Sequence, residues 1–244
     1  MLKRIVDFTL ATIGLLITSP VLVPVMIAVF LQDYHSPFYV APRVGRNGKI
    51  FKMIKIRSMV INADKSGVDS TSNDDKRITA VGRFIRNYKI DELSQLINVF
   101  TGDMSLVGPR PNVSRDVALY TEAERKILTV KPGITDLSSI VFSDEGAILE
   151  GRPDPDLSYN QLIRPFKSRL ALIYIEKRSL LLDFKLIYLT VVAILSKQKA
   201  LLGINQILRD LNIDPLVIEV CKREKPLTPY PPPGATEIVL KRAS

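Results

Sequence analysis

The sequence predicts an α/β protein, mostly α-helical, in which a re-entrant membrane helix-break-helix precedes a small cytoplasmic domain with a β-hairpin and amphipathic interfacial helices. Three observations predict this fold class. A long uncharged apolar stretch lies near the amino terminus, an alternating apolar and basic segment follows it, and apolar residues then recur at helical spacing. We divide the 244 residues into the re-entrant helix at 1–34, the cytoplasmic domain at 35–202 and a C-terminal extension at 203–244.

The apolar stretch, residues 8–31, contains no charged residue and exceeds the roughly 20 residues that a membrane span needs. Pro20 and Pro24 lie within it, and each removes a backbone donor and crowds the preceding turn. We expect the helix to break at Ser19 and Pro20, with the Ser19 hydroxyl bonding a carbonyl that the break leaves free. Asp7, near the start of the stretch, is expected at the membrane interface because a carboxylate is costly at depth.

Basic residues flank the apolar stretch on both sides. Lys3 and Arg4 precede it, and five more follow closely: Arg43, Arg46, Lys49, Lys52 and Lys55. Because positive flanks favour the cytoplasmic side, a helix that dips into the membrane and returns satisfies both flanks. A single-pass anchor with a proline kink stays open as the alternative. A cleaved signal peptide is disfavoured, since the stretch is long and no small-x-small site follows it.

The segment after the apolar stretch predicts a β-hairpin. Asn47-Gly48 suits a tight turn, and residues 50–56 largely alternate apolar and basic side chains. The polar run at residues 61–77 is expected to be a mobile loop. Two short helices follow, and the second opens with Asp91 and Glu92.

A second apolar-rich region lies at residues 168–199, but its uncharged part, 186–196, is too short to span a bilayer. Its charged flanks fit an amphipathic helix in the membrane interface, and a buried core helix explains the pattern equally well. Beyond Gly203 the chain becomes rich in proline, and we expect an extended, partly disordered extension.

The composition limits the chemistry. A formal net charge of +9 indicates an anionic partner, such as nucleic acid, a membrane surface or a phosphorylated substrate. No nucleic-acid reader motif is recognisable, and the apolar amino terminus also argues against nucleic acid. Cys221 and His35 are the single cysteine and histidine, which all but excludes Cys/His zinc sites, Ser-His-Asp triads and Cys-His nucleophiles. Any catalysis must use carboxylates, Lys, Arg, Tyr, Ser or a hard metal ion.

Asp91 and Glu92 have two interpretations. An aspartate at a helix start is an ordinary N-cap, and Glu92 in the first turn suits the helix dipole. Alternatively the pair is a reaction centre, because fixed cations are close in the sequence or follow in the rigid Gly-Pro-Arg-Pro loop. These cations are Arg86, Arg110, Lys55 and Arg57. Carboxylates among cations are typical of a site where a divalent metal meets a phosphorylated ligand.

The order of these motifs resembles the bacterial sugar transferase family, the monotopic polyprenol-phosphate phosphoglycosyl transferases. The resemblance spans about residues 3–197, and its central block is the most specific part. The matching pieces are "KRIVDFTLA" with the Ser19-Pro20 break, "RVGRNGKIFKMIKIRSM", "GRFIRNYKIDELSQLINVFTGDMSLVGPRP", "KPGIT" and "SLLLDFKLIYLT".

The resemblance implies an enzyme of the bacterial inner membrane, with its catalytic domain on the cytoplasmic face, that begins a surface glycan. It would move a sugar-1-phosphate from a UDP-sugar to undecaprenyl phosphate and release UMP. Asp91 would be the nucleophile that forms a covalent aspartyl-phosphosugar, and Asp91 and Glu92 would belong to a Mg²⁺ centre. Arg86 and Arg110 would bind the substrate phosphates, with Lys55 and Arg57 as weaker candidates.

The chain departs from the family pattern after "KPGIT", where it reads "DLSSIVFSDEGAILEGRPD" and where no tryptophan occurs. We expect that region to shape the sugar pocket, so the resemblance does not name the sugar. The Asp144-Glu145 pair within it is interpreted as a helix start. The rival function is a non-catalytic membrane scaffold of polysaccharide assembly, which would not need Asp91. A homodimer is left open.

Overall fold

The computed structural model describes residues 1–63 and 75–240 as a mostly helical α/β fold. The strands are Phe38–Val44 (β1), Ile50–Ile56 (β2), Ser105–Val107 (β3) and Gly133–Thr135 (β4). The helices are Leu2–Leu31 (α1), Ala80–Asn87 (α2), Ile90–Leu93 (α3), Leu96–Thr101 (α4), Ser114–Ala118 (α5), Glu122–Arg125 (α6), Leu137–Val141 (α7), Glu145–Leu149 (α8), Pro155–Ser158 (α9), Arg164–Lys177 (α10), Leu180–Leu195 (α11), Lys197–Asp210 (α12) and Pro215–Lys222 (α13). Most of the loop expected at 61–77 lies outside the described residues.

Two small sheets provide the β content. Strands β1 and β2 pair antiparallel from Phe38–Ile56 to Val44–Ile50, which confirms the predicted hairpin. Asn47 makes the turn with a φ of 58°, in the left-handed region that asparagine tolerates. Strands β3 and β4 pair in parallel, and the sequence did not predict this sheet. A Cβ on Gly133 would lie 2.1 Å from the Gly108 nitrogen, so this close approach requires glycine.

Helix α1 runs continuously from Leu2 to Leu31 with both prolines inside it. It does not end at Ser19 and Pro20, where the sequence predicted a break. Pro20 has no N–H for the carbonyl of Leu16, and the Ser19 hydroxyl donates to that carbonyl at 2.8 Å. The lost backbone bond is therefore replaced locally, as the sequence suggested. By length and composition α1 can cross a membrane.

The amino-terminal end of α1 is fastened to the domain that follows it. The Lys3 ammonium lies 2.6 Å from an Asp183 oxygen on α11. Asp7 is only 5% exposed and accepts hydrogen bonds from the Ser105 hydroxyl and the Leu106 backbone nitrogen of β3, at 2.8 and 3.1 Å. Asp7 was expected at the membrane interface, but β3 gives it buried partners instead.

The carboxyl-terminal end of α1 is fastened to the same domain. Leu22 and Val29 pack in a cluster with Ile56 of β2. Just beyond the helix, the Asp33 carboxylate takes two hydrogen bonds from Arg57, of 2.5 and 2.7 Å. Both ends of α1 thus rest on one domain, although most of the helix between them is exposed.

Helix α11 combines the two interpretations that the sequence left open. One face, with Leu182, Leu186 and Leu189, is buried in the main core. The opposite face exposes a stripe of large apolar side chains. These are Leu181, Phe184, Tyr188, Val191, Ile194 and Leu195, and Leu195 is 84% exposed. The helix is a core helix on one side and an uncovered apolar surface on the other.

The C-terminal extension packs on this core, unlike the partly disordered appendage that the sequence suggested. The boundary placed after residue 202 falls inside α12, whose Leu201, Ile204 and Leu208 are buried at helical spacing. The Pro-rich segment after α13 is extended and bonded to the helices, since the Tyr230 backbone nitrogen donates to the Gln161 carbonyl at 3.0 Å. Pairing of this kind orders the described part of the tail, through residue 240.

Candidate active site

Side chains of the α3–α4 segment dock it on strand β2. The Asn98 amide donates to the Lys52 carbonyl at 2.7 Å and accepts from the Ile54 nitrogen at 2.9 Å. The Ser94 hydroxyl donates to the Ile54 carbonyl at 3.2 Å. The start of α3, with Asp91 and Glu92, therefore lies beside the end of β2, which carries Lys55.

The parallel sheet places the arginine. The Gly133 backbone nitrogen of β4 donates to the Pro109 carbonyl at 3.0 Å. Prolines on either side of Arg110 restrict its backbone further, because each ring fixes φ and confines the residue before it. These restraints hold Arg110 beside the start of α3, where its guanidinium reaches Glu92.

Each carboxylate of the pair meets a different cation. The Lys55 ammonium lies 3.5 Å from an Asp91 oxygen. The Arg110 guanidinium donates to a Glu92 oxygen at 2.6 Å. Asp91 is only 7% exposed. The structure thus brings together four residues that the sequence singled out, from β2, α3 and the Gly-Pro-Arg-Pro loop.

The helix-cap interpretation of Asp91 does not hold. Lys89 occupies the N-cap position of α3, with a left-handed φ of 57° and no side-chain cap bond, and Asp91 and Glu92 lie in the first turn. The Lys89 ammonium instead donates to the Ser143 carbonyl at 3.3 Å. Sequence reasoning missed this lysine, although its position two residues before Asp91 was a signal that it borders the pair.

Burial and charge set the protonation of the site. Burial alone would raise the pKa of Glu92, but the Arg110 guanidinium and then Lys55 outweigh it and lower the pKa from 4.5 to about 2. Burial lowers the pKa of Lys55, opposed mainly by Asp91. The Glu92 charge raises the pKa of Arg110 further. Glu92 is therefore ionised at neutral pH, and the Arg110 guanidinium bonded to it stays protonated.

The other two predicted phosphate-binding residues have different surroundings. Arg86, on α2, is half-buried and lies close enough to Lys55 for its charge to help lower the pKa of that lysine. Arg57 donates to Asp33 and to the carbonyls of Ser36 and Val29, and it is 8% exposed. The structure gives Arg57 a role in fastening α1 and gives its phosphate-binding prediction no support.

The chemistry of the acidic pair is compatible with a magnesium ion that takes its remaining ligands from the substrate. Among the described residues no group of three or more Asp, Glu, His or Cys side chains is placed to hold a metal. Mg²⁺ at phosphate-transfer sites is usually bound by one or two carboxylates together with substrate phosphates, so a dedicated protein cage is not required. Asp91 and Glu92 supply two hard oxygen donors of that type.

The chain resembles proteins of known name along most of its length. It is 42% identical over 151 residues to the undecaprenyl-phosphate galactose phosphotransferase of Salmonella typhimurium, a match that covers 56% of this chain and 32% of that protein. It is 35% identical over 202 residues to the UDP-glucose:undecaprenyl-phosphate glucose-1-phosphate transferase of Escherichia coli, covering 78% and 39%. It is 34% identical over 207 residues to the exopolysaccharide production protein ExoY of Sinorhizobium fredii, covering 79% and 84%.

The chain therefore spans well under half of the Salmonella and Escherichia coli proteins and most of ExoY. The family profile described as bacterial sugar transferase matches residues 1–197. That match includes α1, the acidic pair on α3, the Gly-Pro-Arg-Pro loop and α11. Because this match covers most of the chain, the chain belongs to the bacterial sugar transferase family.

Proposed function

We propose that this chain is a phosphoglycosyl transferase that moves a sugar-1-phosphate from a UDP-sugar to undecaprenyl phosphate, as the first membrane step of a bacterial surface glycan. The observation that carries the proposal is the Asp91-Glu92 pair, buried at Asp91 and half-buried at Glu92, in which each carboxylate is held by a cation of a different element. The names of two relatives support the acceptor and the class of donor.

In the first half-reaction, an Asp91 oxygen attacks the phosphorus that carries the sugar. The bond from that phosphorus to the bridging oxygen of the diphosphate breaks, UMP leaves with the bridging oxygen, and the sugar-phosphate remains on Asp91 as an acyl phosphate. Lys55 and Arg110 are assigned to the incoming diphosphate, because phosphate oxygens can replace or share the carboxylate oxygens that these cations now contact. Arg86 is assigned to the same phosphates from α2.

In the second half-reaction, a phosphate oxygen of undecaprenyl phosphate attacks the same phosphorus. The bond from that phosphorus to the Asp91 oxygen breaks, the carboxylate is restored, and the sugar is left on a polyprenyl diphosphate. The carboxylate that attacks in the first half-reaction is restored in the second, so the two steps balance without a proton from the protein. Burial of Asp91 limits the access of water, which would otherwise hydrolyse the acyl phosphate.

Asp91 and Glu92 are the residues that would hold Mg²⁺, which when bound offsets the negative charge of the diphosphate. Glu92 contributes an ionised oxygen at neutral pH because Arg110 keeps its pKa low. Arg110 in turn orients Glu92 through a short charged hydrogen bond. Removal of divalent ions with EDTA should abolish UMP release, and added Mg²⁺ should restore it.

The fastening of both ends of α1 to one domain supports a placement in which this helix enters the inner membrane from the cytoplasmic face and does not cross it. The bilayer core is about 30 Å thick, so a spanning helix has its ends on opposite sides of it. Here Asp7 and Asp33, near the two ends, both bond to the same domain. The exposed apolar stripe of α11 begins beside Lys3 and would rest on lipid beside α1. Tags at the amino terminus and on the domain should both report the cytoplasm, and a periplasmic amino terminus would contradict this placement.

The covalent step has a direct test. Purified protein in detergent is given UDP-sugars labelled in the sugar, with Mg²⁺ and no acceptor, and the protein is then denatured and its bound label counted. The wild type should retain label from at least one donor and release about one UMP per active site, whereas Asp91→Asn should do neither. Label on the Asp91→Asn protein would refute the assignment of the nucleophile. A folded, membrane-bound wild type that releases no UMP from any donor would favour the scaffold instead.

A further inference from the structure

The segment that joins α7 to α8, together with Glu145 at the start of α8, contacts the residue at the N-cap of α3; we call residues 142–145 the 142–145 turn. Its Ser143 carbonyl accepts the Lys89 ammonium at 3.3 Å, and Lys89 is two residues from Asp91. Its Glu145 contacts Lys167 of α10. The 142–145 turn therefore lies against the side of the site that Lys89 occupies.

The C-terminal extension contacts this turn through Arg223, at the end of α13, which forms an ion pair with Asp144 at 3.3 Å. Lys197, which begins α12 and precedes the extension, forms a second ion pair with Asp144. The Arg223 guanidinium also lies over the Phe142 ring, 5.6 Å from its centroid. Arg223 has a left-handed φ of 57°, a conformation that costs energy for a residue with a side chain. The backbone of the extension thus takes an unfavourable conformation where it reaches the turn.

The cluster around Asp144 is poorly arranged for stability alone. The Asp144 Oδ1 and Arg223 Nε atoms are both buried, and among the residues that the structure describes neither has a hydrogen-bond partner. Buried polar atoms without partners are unfavourable, and they are uncommon in folded proteins. Such an arrangement is more consistent with fixing the position of the turn than with strengthening the fold.

The extension is also the part of the chain that the family profile does not match, since that match ends at residue 197. The sugar of the donor is bonded to the phosphorus that Asp91 attacks, so it must lie within a few bonds of the acidic pair. The 142–145 turn, whose Ser143 carbonyl accepts a hydrogen bond from Lys89 two residues before Asp91, contains hydroxyl, carboxylate and carbonyl groups of the kind that bind sugar hydroxyls.

We propose, resting on the function proposed above, that the 142–145 turn contacts the sugar of the donor and that Asp144 is a positioning residue through which the C-terminal extension fixes this turn. Asp144 does not itself take part in the reaction. Its ion pairs couple the position of the turn to the positions of α12 and α13, so the extension influences which donor sugar is preferred.

Steady-state kinetics of the full-length protein test this inference. Asp144→Asn keeps the shape of the side chain and removes its charge, and Arg223→Gln removes the partner. Each should raise the KM for the UDP-sugar about tenfold, the loss expected for one hydrogen bond to a charged group. The kcat and the KM for undecaprenyl phosphate should stay within about twofold, and the preference between epimeric UDP-sugars should change. Asp144→Glu should recover part of the lost donor affinity.

Glu219→Gln is the matched control, because it removes ion pairs to Lys222 and Lys225 on the same extension without contacting the turn. If Asp144→Asn and Arg223→Gln behave like Glu219→Gln, the inference is overturned. A fall in kcat alone, with the donor KM and sugar preference unchanged, overturns it as well. Lys197→Gln provides a further variant if Asp144→Asn does not fold. An inactive wild type would refute the proposed function itself, whereas an active wild type with unaffected variants overturns only this inference.

Discussion

The Arg110–Glu92 pair predicts a stability that depends on pH. Glu92 has a pKa of about 2 in the folded protein against 4.5 ordinarily, with Arg110 as the main favourable cause. This lowering of the Glu92 pKa corresponds to about 3 kcal/mol of unfolding free energy, taking about 1.4 kcal/mol for each tenfold change in proton affinity. Because the folded-state pKa is lowered, this stabilisation is complete above pH 4.5 and is lost as the pH falls towards 2.

Arg110→Gln removes the arginine and leaves burial as the main influence on Glu92, so the pKa of Glu92 should rise towards or above 4.5. The variant should lose about 2–3 kcal/mol of unfolding free energy at pH 7, somewhat less than for a fully buried pair because the Glu92 side chain is 22% exposed. The deficit should shrink at pH 4, where Glu92 of the variant becomes protonated. At that pH Glu92 of the wild type is still ionised.

The assay is urea unfolding of detergent-solubilised protein, followed by far-UV circular dichroism at pH 7, 5 and 4. Lys177→Gln is the control, since it removes an exposed pair with Glu176 and should change the unfolding free energy by less than about 1 kcal/mol at any pH. A deficit for Arg110→Gln that is the same at pH 7 and pH 4 would refute the electrostatic reasoning. So would a variant as stable as the wild type at pH 7.

Three further predictions follow from other parts of the molecule. Asp91→Asn should lower the rate of UMP release from UDP-sugars at least about a thousandfold while the protein still sediments with membranes, because only the nucleophile is lost. Arg57→Ala should lower the melting temperature by about 5 °C in circular dichroism, since it frees Asp33 beyond the end of α1, and the donor KM should not change. The double variant Tyr188→Glu and Leu195→Glu should release part of the protein from membranes in a flotation assay without changing its circular dichroism, because both side chains are exposed on α11. Unchanged flotation would show that this stripe does not rest on lipid.

Local patterns predicted some elements well because their causes are local. The Asn47-Gly48 turn and the alternating residues 50–56 predicted the hairpin, and helical spacing of apolar residues predicted α11. The single helix predicted to open with Asp91 is divided into α3 and α4. The Ser19 hydroxyl was expected to replace a backbone bond near Pro20, and it does. The predicted break at that proline does not occur, because the Ser19 hydroxyl replaces the lost bond and buried residues on both sides, such as Ala11 and Leu22, keep α1 continuous.

Long-range contacts were beyond sequence reasoning. The pairing of Arg110 with Glu92 depends on a parallel sheet of two three-residue strands, which is too short for any periodicity to reveal. Asp7 and Arg57 looked like an interfacial charge and a phosphate ligand, and their partners Ser105 and Asp33 became visible only in the fold. The order of the described tail was missed for the same reason. Its Tyr230 nitrogen donates to the Gln161 carbonyl, just before α10, and its Pro231 carbonyl accepts from the Arg169 side chain of α10.

The fastening of α1 has a consequence for how the protein is made. Helix α1 leaves the ribosome before the elements that it packs on, since the bonds of Asp7 await residues 105 and 106 and the partner of Lys3 is 180 positions further along the chain. Contacts this distant in sequence form late. The apolar helix must therefore remain in contact with a chaperone or the membrane surface during most of synthesis, and its final position is reached only once α11 has folded.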